Sequence, residues 1–174
     1  MPDPRVRARY AVVLLDRRHD RKAFTCGVDA LDRYFRQQAS QDARRDVATV
    51  FVAEEHGSGA VHGFYTLSMA STLLDRLPEA LARKMPRYPT VPAVRLGRLA
   101  VHLDARGAGL GARLLMDALA RSLRTEVAWA AFVVDAKDET ARSFYAKYGF
   151  RALLDHPSHL FLMRKTLEPL FGGT

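Results

Sequence analysis

Cysteine is almost missing. The single Cys26 rules out an intramolecular disulfide, and with it a small scaffold held by cross-links. No apolar run reaches the roughly 18 residues a membrane helix needs, so no spanning segment is expected. The opening stretch MPDPRVRARY has basic residues but no apolar stretch behind them, so a secretory signal is not expected and the cytoplasm is the expected compartment. His, Cys, Asp and Glu fall in no pattern with ligand spacing, so no metal is expected. Lysine is scarce, with five against 22 arginines. Acid is in deficit: 19 Asp and Glu face 27 Lys and Arg, a formal net charge of +8. An excess of base suits a polyanionic partner such as nucleic acid, a nucleotide cofactor or an acidic protein.

What is present is a folding sequence. Of 174 residues, 48% are hydrophobic, enough for a core of one domain and too many for a disordered chain. Residues 10–15, YAVVLL, predict a first strand. Asp29 is placed to cap a helix whose face holds Leu31, Tyr34, Phe35 and Gln38. Strands are expected at 48–55 and from 60, joined by a GSG turn at 57–59. A short helix over 75–85 is followed by three prolines at 86, 89 and 92 that break what comes next. Then come a strand at 93–101, a glycine loop and an amphipathic helix carrying Leu110, Leu114, Leu115, Ala118, Leu119 and Leu123. The apolar run 127–136 reads as a buried strand. A helix follows that stops at Gly149, and a last strand is expected at 159–167. The order gives a mixed α/β single domain.

The glycine loop is the first motif with chemistry in it. Gly107, Gly109 and Gly111 follow Arg106, between a strand and a helix. Glycine disfavours helix, so three at a helix start need a reason. Unpaired N–H groups at a helix N-terminus carry partial positive charge, and glycines let a phosphate approach them. A Walker loop would end in Gly-Lys-Ser/Thr, but Ala112 and Arg113 follow here. A dinucleotide fingerprint has a different glycine spacing. R-x-x-G-x-G, Arg106 to Gly111, resembles the acetyl-CoA pyrophosphate loop of GNAT N-acetyltransferases. Downstream, FVVDAKDETARSFYAKYGF at 132–150 resembles the C-terminal motif of the same family, a strand then a helix with Phe-Tyr and Gly-Phe.

The resemblance implies a GNAT fold, a mixed central β-sheet flanked by helices, over a single domain 1–174 with its core at about 10–167. It implies acetyl-CoA as co-substrate, held by Leu99, Ala100 and Val101 of the preceding strand and by the backbone of Arg106, Gly107, Ala108, Gly109, Leu110, Gly111 and Ala112. It implies Tyr145 as the catalytic residue, the acid for the departing thiolate. Ala108 departs from the basic residue common at this loop position, which shifts charge pairing to Arg106 or Arg113. No general base stands out. Asp135 is expected to cap the next helix or order the loop, His102 to be structural, and Cys26 to be a small packing residue.

Residues 24–53, with Phe24, Cys26-Gly27, Leu31-Asp32, Gln37-Gln38-Ala39 and Asp42, are similar to the N-terminal half of the GNAT toxins of type II toxin–antitoxin pairs. Residues 91–119 are similar to their central segment, and the likeness runs over about 24–165. It implies a toxin that acetylates the α-amino group of aminoacyl-tRNA, blocks translation and is neutralised by a ribbon-helix-helix antitoxin. A homodimer is a further family expectation that no residue pattern here demands.

The stretch 83–98 holds Arg83, Lys84, Arg87, Arg95 and Arg98 and no acid. These are the tRNA-binding candidates, with Tyr88 placed to stack on a base. Arg33, Arg36, Arg44 and Arg45 make a second basic face. Two other readings stay open: a GNAT acetyltransferase of a small amine or a protein N-terminus, and a non-catalytic nucleic-acid-binding module that kept the fold.

Overall fold

The computed structural model describes residues 3–172. Seven strands form a mixed sheet in the order β1-β2-β3-β4-β5-β7-β6. In chain order the elements are α1 (Pro4–Arg9), β1 (Tyr10–Leu14), α2 (Asp29–Arg33), a π-helical turn (Tyr34–Gln38), α3 (Ala39–Arg44), β2 (Thr49–Glu55) and β3 (Val61–Leu73). There follow α4 (Glu79–Ala82), β4 (Thr90–Val101), α5 (Leu110–Leu123), β5 (Ala131–Asp135), α6 (Glu139–Ala146), β6 (Arg151–Ala152), β7 (His159–Met163) and α7 (Arg164–Leu167). β1, β2 and β3 pair antiparallel, β4 and β5 parallel, and β7 runs antiparallel to both β5 and β6.

Two compact units can be described. The first holds residues up to Ser68 together with Gly97–Ala118. Its core is aromatic: Phe24, Phe35 and Phe64 are fully buried, and Phe35 stacks on Phe64 with centroids 4.4 Å apart. Offset and edge contacts of this kind add to the burial of the rings. Cys26 is buried in the same cluster. Leu110, Leu114, Leu115 and Ala118 bury one face of α5. Gly63 of β3 makes room for that face. A Cβ there would lie 2.8 Å from Leu114 Cδ1 and 3.1 Å from the Ala100 carbonyl oxygen. The start of α5, and the loop before it, are therefore set by packing on the sheet.

The second unit holds Met69–Leu96 and residues from Leu119 on. Its core gathers Leu77, Val91, Ala93, Ala131, Val133, Leu153 and Phe161.

Several elements differ from expectation. The helix foreseen at 75–85 is a 3₁₀ turn at Leu74–Arg76 and a single turn α4, because Pro78 sits between them as the N-cap of α4. β4 begins at Thr90, so Pro92 lies inside a strand instead of breaking it, and its carbonyl accepts from Ala130 N–H at 2.9 Å. β5 begins at Ala131, not at 127. Val127 is exposed, and the Trp129 indole N–H donates to the Ser122 carbonyl of α5 at 2.9 Å, so this part of the apolar run closes the end of a helix. The last strand ends at Met163 and turns into α7. α1, with Pro at its start and the Asp3 carboxylate accepting from Arg5 N–H, was not foreseen. The helix after residue 28 has Val28 as N-cap with no side-chain bond, so Asp29 does not cap it. The GSG turn is as expected, with Gly57 and Gly59 at φ of 77° and 76°. α6 ends before Gly149, at φ 89°.

Candidate functional site

β4 ends in Leu99, Ala100 and Val101, of which Ala100 is buried and the other two half-buried. A 3₁₀ turn at Leu103–Ala105 follows, and His102 caps it by accepting from Asp104 N–H at 3.1 Å. His102 also sits edge-on to Phe24, with ring centroids 5.7 Å apart. These contacts give it the structural part expected of it. Arg106, Gly107, Ala108 and Gly109 are exposed, Leu110 is buried, and Gly111 and Ala112 are half-buried.

Gly107 and Gly109 stand at φ of 77° and 84°, in the left-handed region. A Cβ at either would meet nothing within 4 Å. Backbone conformation, not crowding, demands glycine here, and the space above the loop is open. The first bond into α5 runs from Arg113 N–H to the Gly109 carbonyl at 3.1 Å. The amides of Leu110, Gly111 and Ala112 come before it and are the orphan donors of the helix start. Open space over a turn of unpaired N–H groups, at the positive end of a 14-residue helix, fits a diphosphate. The buried Leu110 side chain leaves only its backbone for such a role.

The loop is tied to the segment before α2. The Arg106 guanidinium donates to the Cys26 carbonyl. Asp32 accepts from Cys26 N–H at 2.8 Å and from the Thr25 hydroxyl at 3.0 Å. Burial opposes ionisation of Asp32, but these bonds hold its carboxyl below the usual range. Arg113 Nε is buried without a hydrogen-bond partner, and its Nη1 lies 3.5 Å from Asp117 Oδ1.

Tyr145 is the penultimate residue of α6. It is 6% exposed and packs edge-on to Phe144 and Phe150, at centroid distances of 5.2 and 5.4 Å. Its hydroxyl has no hydrogen-bond partner among the described residues. Burial alone pushes the phenol well above its ordinary value, so it stays protonated at neutral pH. Asp138, not Asp135, caps α6, accepting from Ala141 N–H at 2.8 Å. Asp135 is exposed at the end of β5.

The basic candidates divide. Arg83, Lys84, Arg87 and Arg95 are exposed in the second unit. Arg83 pairs with Glu79 at 2.5 Å. Arg83, Arg87, Tyr88 and Met85 line an open groove of about 700 Å³ with Leu73 and Leu74. Arg98 belongs to the first unit, and its guanidinium carbon lies 3.6 Å from the centroid of the Tyr34 ring. Tyr34 donates to Asp42 at 2.9 Å. This group was not foreseen, because helical spacing alone does not reveal a π turn. Among the described residues no cluster of His, Cys, Asp and Glu could hold a metal ion, and no helix is long and apolar enough to cross a membrane.

The profile of the acetyltransferase (GNAT) domain matches residues 82–159. The chain is 34% identical over 155 residues to the tRNA-acetylating toxin of Mycobacterium tuberculosis (strain ATCC 25618 / H37Rv), a match spanning 88% of this chain and 91% of the relative. It is 31% identical over 164 residues to the probable toxin TacT of Sinorhizobium fredii (strain NBRC 101917 / NGR234), spanning 89% and 91%. The structure of AtaT complexed with acetyl-methionyl-tRNAfMet matches with a TM-score of 0.86 at 27% identity, over 93% of this chain and 99% of that one. A tyrosine-to-phenylalanine mutant of AtaT, bound to the C-terminus of the antitoxin AtaR and to acetyl-CoA, matches with a TM-score of 0.79 at 25% identity, over 94% and 98%.

The chain belongs to the GNAT family of acetyltransferases, beside these toxins. It is an acetyl-CoA-dependent N-acetyltransferase.

Proposed function

We propose that this protein is a toxin that moves acetyl from acetyl-CoA to the α-amino group of aminoacyl-tRNA. An N-acetylated amino acid has no free amine to attack in peptide-bond formation, so translation stops. The observation that carries the reading is the likeness to a tRNA-acetylating toxin along nearly the whole chain. The net charge of +8 supports an RNA acceptor over a small neutral amine.

Bound acetyl-CoA supplies an activated acetyl thioester. The Arg106 N–H is bonded to the Leu103 carbonyl at 3.4 Å, so the amides of Gly107 to Ala112 hold the pyrophosphate, and Leu99, Ala100 and Val101 offer backbone groups to the pantetheine arm. Arg106 keeps the loop on the segment before α2 through Cys26. Tyr145 hydrogen-bonds the departing sulfur. Burial keeps the phenol protonated at neutral pH, so Tyr145 has an O–H to present to the departing thiolate, as a hydrogen bond or as its acid. The α-amino group of an aminoacyl ester is less basic than a lysine, so it attacks as the neutral amine and water carries off the proton its nitrogen sheds, with no side-chain base needed. Arg83, Lys84, Arg87, Arg95 and Arg98 meet the RNA backbone, and Tyr88 stacks on an exposed base.

The chain acts as a single GNAT domain in the cytoplasm, as a homodimer, and a ribbon-helix-helix antitoxin neutralises it. Adding the protein to a cell-free translation reaction tests the reading. Synthesis is expected to stop only when acetyl-CoA is present, and to resume on adding fresh charged tRNA after the protein is removed. Arrest without acetyl-CoA, or no arrest with it, contradicts the proposal.

A further inference from the structure

The turn Tyr34–Gln38 is π-helical: Ala39 N–H reaches back five residues to the Tyr34 carbonyl. Such turns widen a helix by one residue, are costly, and recur at functional sites. This one has a visible consequence. It leaves Tyr34 buried at 7% exposure and turns Gln38 out to solvent. Gln38 then donates to Asp42 Oδ1 and Tyr34 to Asp42 Oδ2, each at 2.9 Å. The bond from Gln38 does most to hold the Asp42 carboxyl below the usual range, ahead of the Tyr34 hydroxyl and the nearby charge of Arg98. Burial first, then the bond to Asp42, pushes the Tyr34 phenol up to about 12. The ring is therefore fixed at both its edge and its hydroxyl.

Arg98 lies on that fixed ring at 3.6 Å. Its own backbone is pinned as well, with its N–H donating to Thr66 Oγ1 at 3.0 Å. Gly97 lets the strand approach Thr66 that closely, since a Cβ there would be 2.8 Å from the same oxygen. Yet the Arg98 side chain is exposed, and among the described residues no carboxylate lies within ion-pairing distance of it. An exposed guanidinium held over an aromatic ring, close to the Tyr34 hydroxyl and the Asp42 charge but in no direct ion pair, is pre-organised for an external anion. It stands one residue before Leu99–Val101, the segment assigned to the pantetheine arm.

We propose that Arg98 anchors a phosphate of the RNA acceptor beside the acetyl-transfer strand, and that Tyr34 and Asp42 are the positioning residues that hold it there. The inference rests on the aminoacyl-tRNA reading and deepens it. Arg83, Lys84, Arg87 and Arg95 give a general field, whereas Arg98 fixes the register of the 3′ end against the reacting centre.

The test is steady-state acetyl transfer by the full chain to charged tRNA over a series of salt concentrations. The same amino acid as a methyl ester, which has no phosphate, serves as the comparison acceptor. Arg98→Ala is expected to raise KM for charged tRNA about tenfold at low salt and to lower the log–log salt slope by about one unit. The preference for charged tRNA over the ester, as a ratio of kcat/KM, falls with it. Arg98→Lys keeps the slope but raises KM severalfold, because an ammonium cannot lie flat on the ring. Tyr34→Phe keeps the stacked ring and loses the bond to Asp42, and raises KM about threefold, a small loss of the kind an exposed cation–π contact carries. Asp42→Asn behaves like Tyr34→Phe. Thermal melts of each variant show that the fold is retained, and acetyl-CoA affinity by calorimetry is expected to stay at the unaltered value.

An Arg98→Ala protein with the unaltered KM and salt slope for charged tRNA overturns the inference. So does one that loses as much on the methyl ester as on tRNA. If the unaltered protein labels no charged tRNA at all, the acceptor reading fails and this inference falls with it, a result distinct from the other two.

Discussion

Replacing Tyr145 by phenylalanine is expected to lower kcat for acetyl transfer by about a hundredfold to a thousandfold, the scale of a lost proton-transfer or hydrogen-bonding group. The reason is local. The change deletes one oxygen and leaves a ring of the same shape between Phe144 and Phe150. The hydroxyl has no hydrogen-bond partner among the described residues, so its loss breaks no bond with them. The hydroxyl oxygen is not among the buried side-chain atoms left without a partner, so its removal relieves no large desolvation penalty and the melting temperature is expected to hold. Affinity for acetyl-CoA and KM for charged tRNA are expected to change little, since the hydroxyl acts on the sulfur as it departs. Stopped turnover with a stable, cofactor-binding protein is the signature. If the same variant unfolds, Tyr145 is a core residue first. If it turns over normally, another group stabilises the thiolate.

Gly109→Val is expected to weaken acetyl-CoA binding on the order of a hundredfold, the loss of two charge-assisted backbone bonds at about 1.4 kcal/mol each. Gly109 stands at φ 84°, and a β-branched residue there pays about 1–2 kcal/mol of strain. A Cβ meets no protein atom within 4 Å, so the fold tolerates the side chain and the ligand meets it. Gly57→Val is the matching control. Gly57 has nearly the same φ, 77°, and the same open surroundings, but lies in the turn between β2 and β3. Both variants are expected to lose similar stability, and only Gly109→Val to lose the cofactor. Equal affinities in a calorimetric titration of the two would contradict a phosphate cradle at 107–112.

The sequence made the glycine loop and α5 legible for different reasons. The loop is visible because Gly107 and Gly109 take positive φ, a region that glycine enters without the cost most side chains carry, so backbone conformation is written in residue type. α5 is visible because Leu110, Leu114, Leu115 and Ala118 repeat at the helical period. The Tyr34–Asp42–Arg98 group was hidden because one extra residue in a π turn shifts the register. The 3.6-residue period placed Gln38 on the buried face with Tyr34, and the structure puts it in solvent. β5 was overextended because an apolar run does not record direction. Trp129 is apolar, but it is spent on the end of α5 and on the face offered to Arg164, at 5.1 Å. Asp138 displaced Asp135 as the cap of α6 for a simpler reason: it lies three residues before Ala141, the reach of an N-cap carboxylate. Residue type announced a capping acid nearby, and only geometry chose between the two.

The most direct measurement is transfer of labelled acetyl from acetyl-CoA to a tRNA pool, once charged and once deacylated. The account predicts label on the charged pool alone, released by mild base as an N-acetylated amino acid. Label on neither pool, from a protein that still binds acetyl-CoA, would contradict the account and direct the search to small amines and protein N-termini.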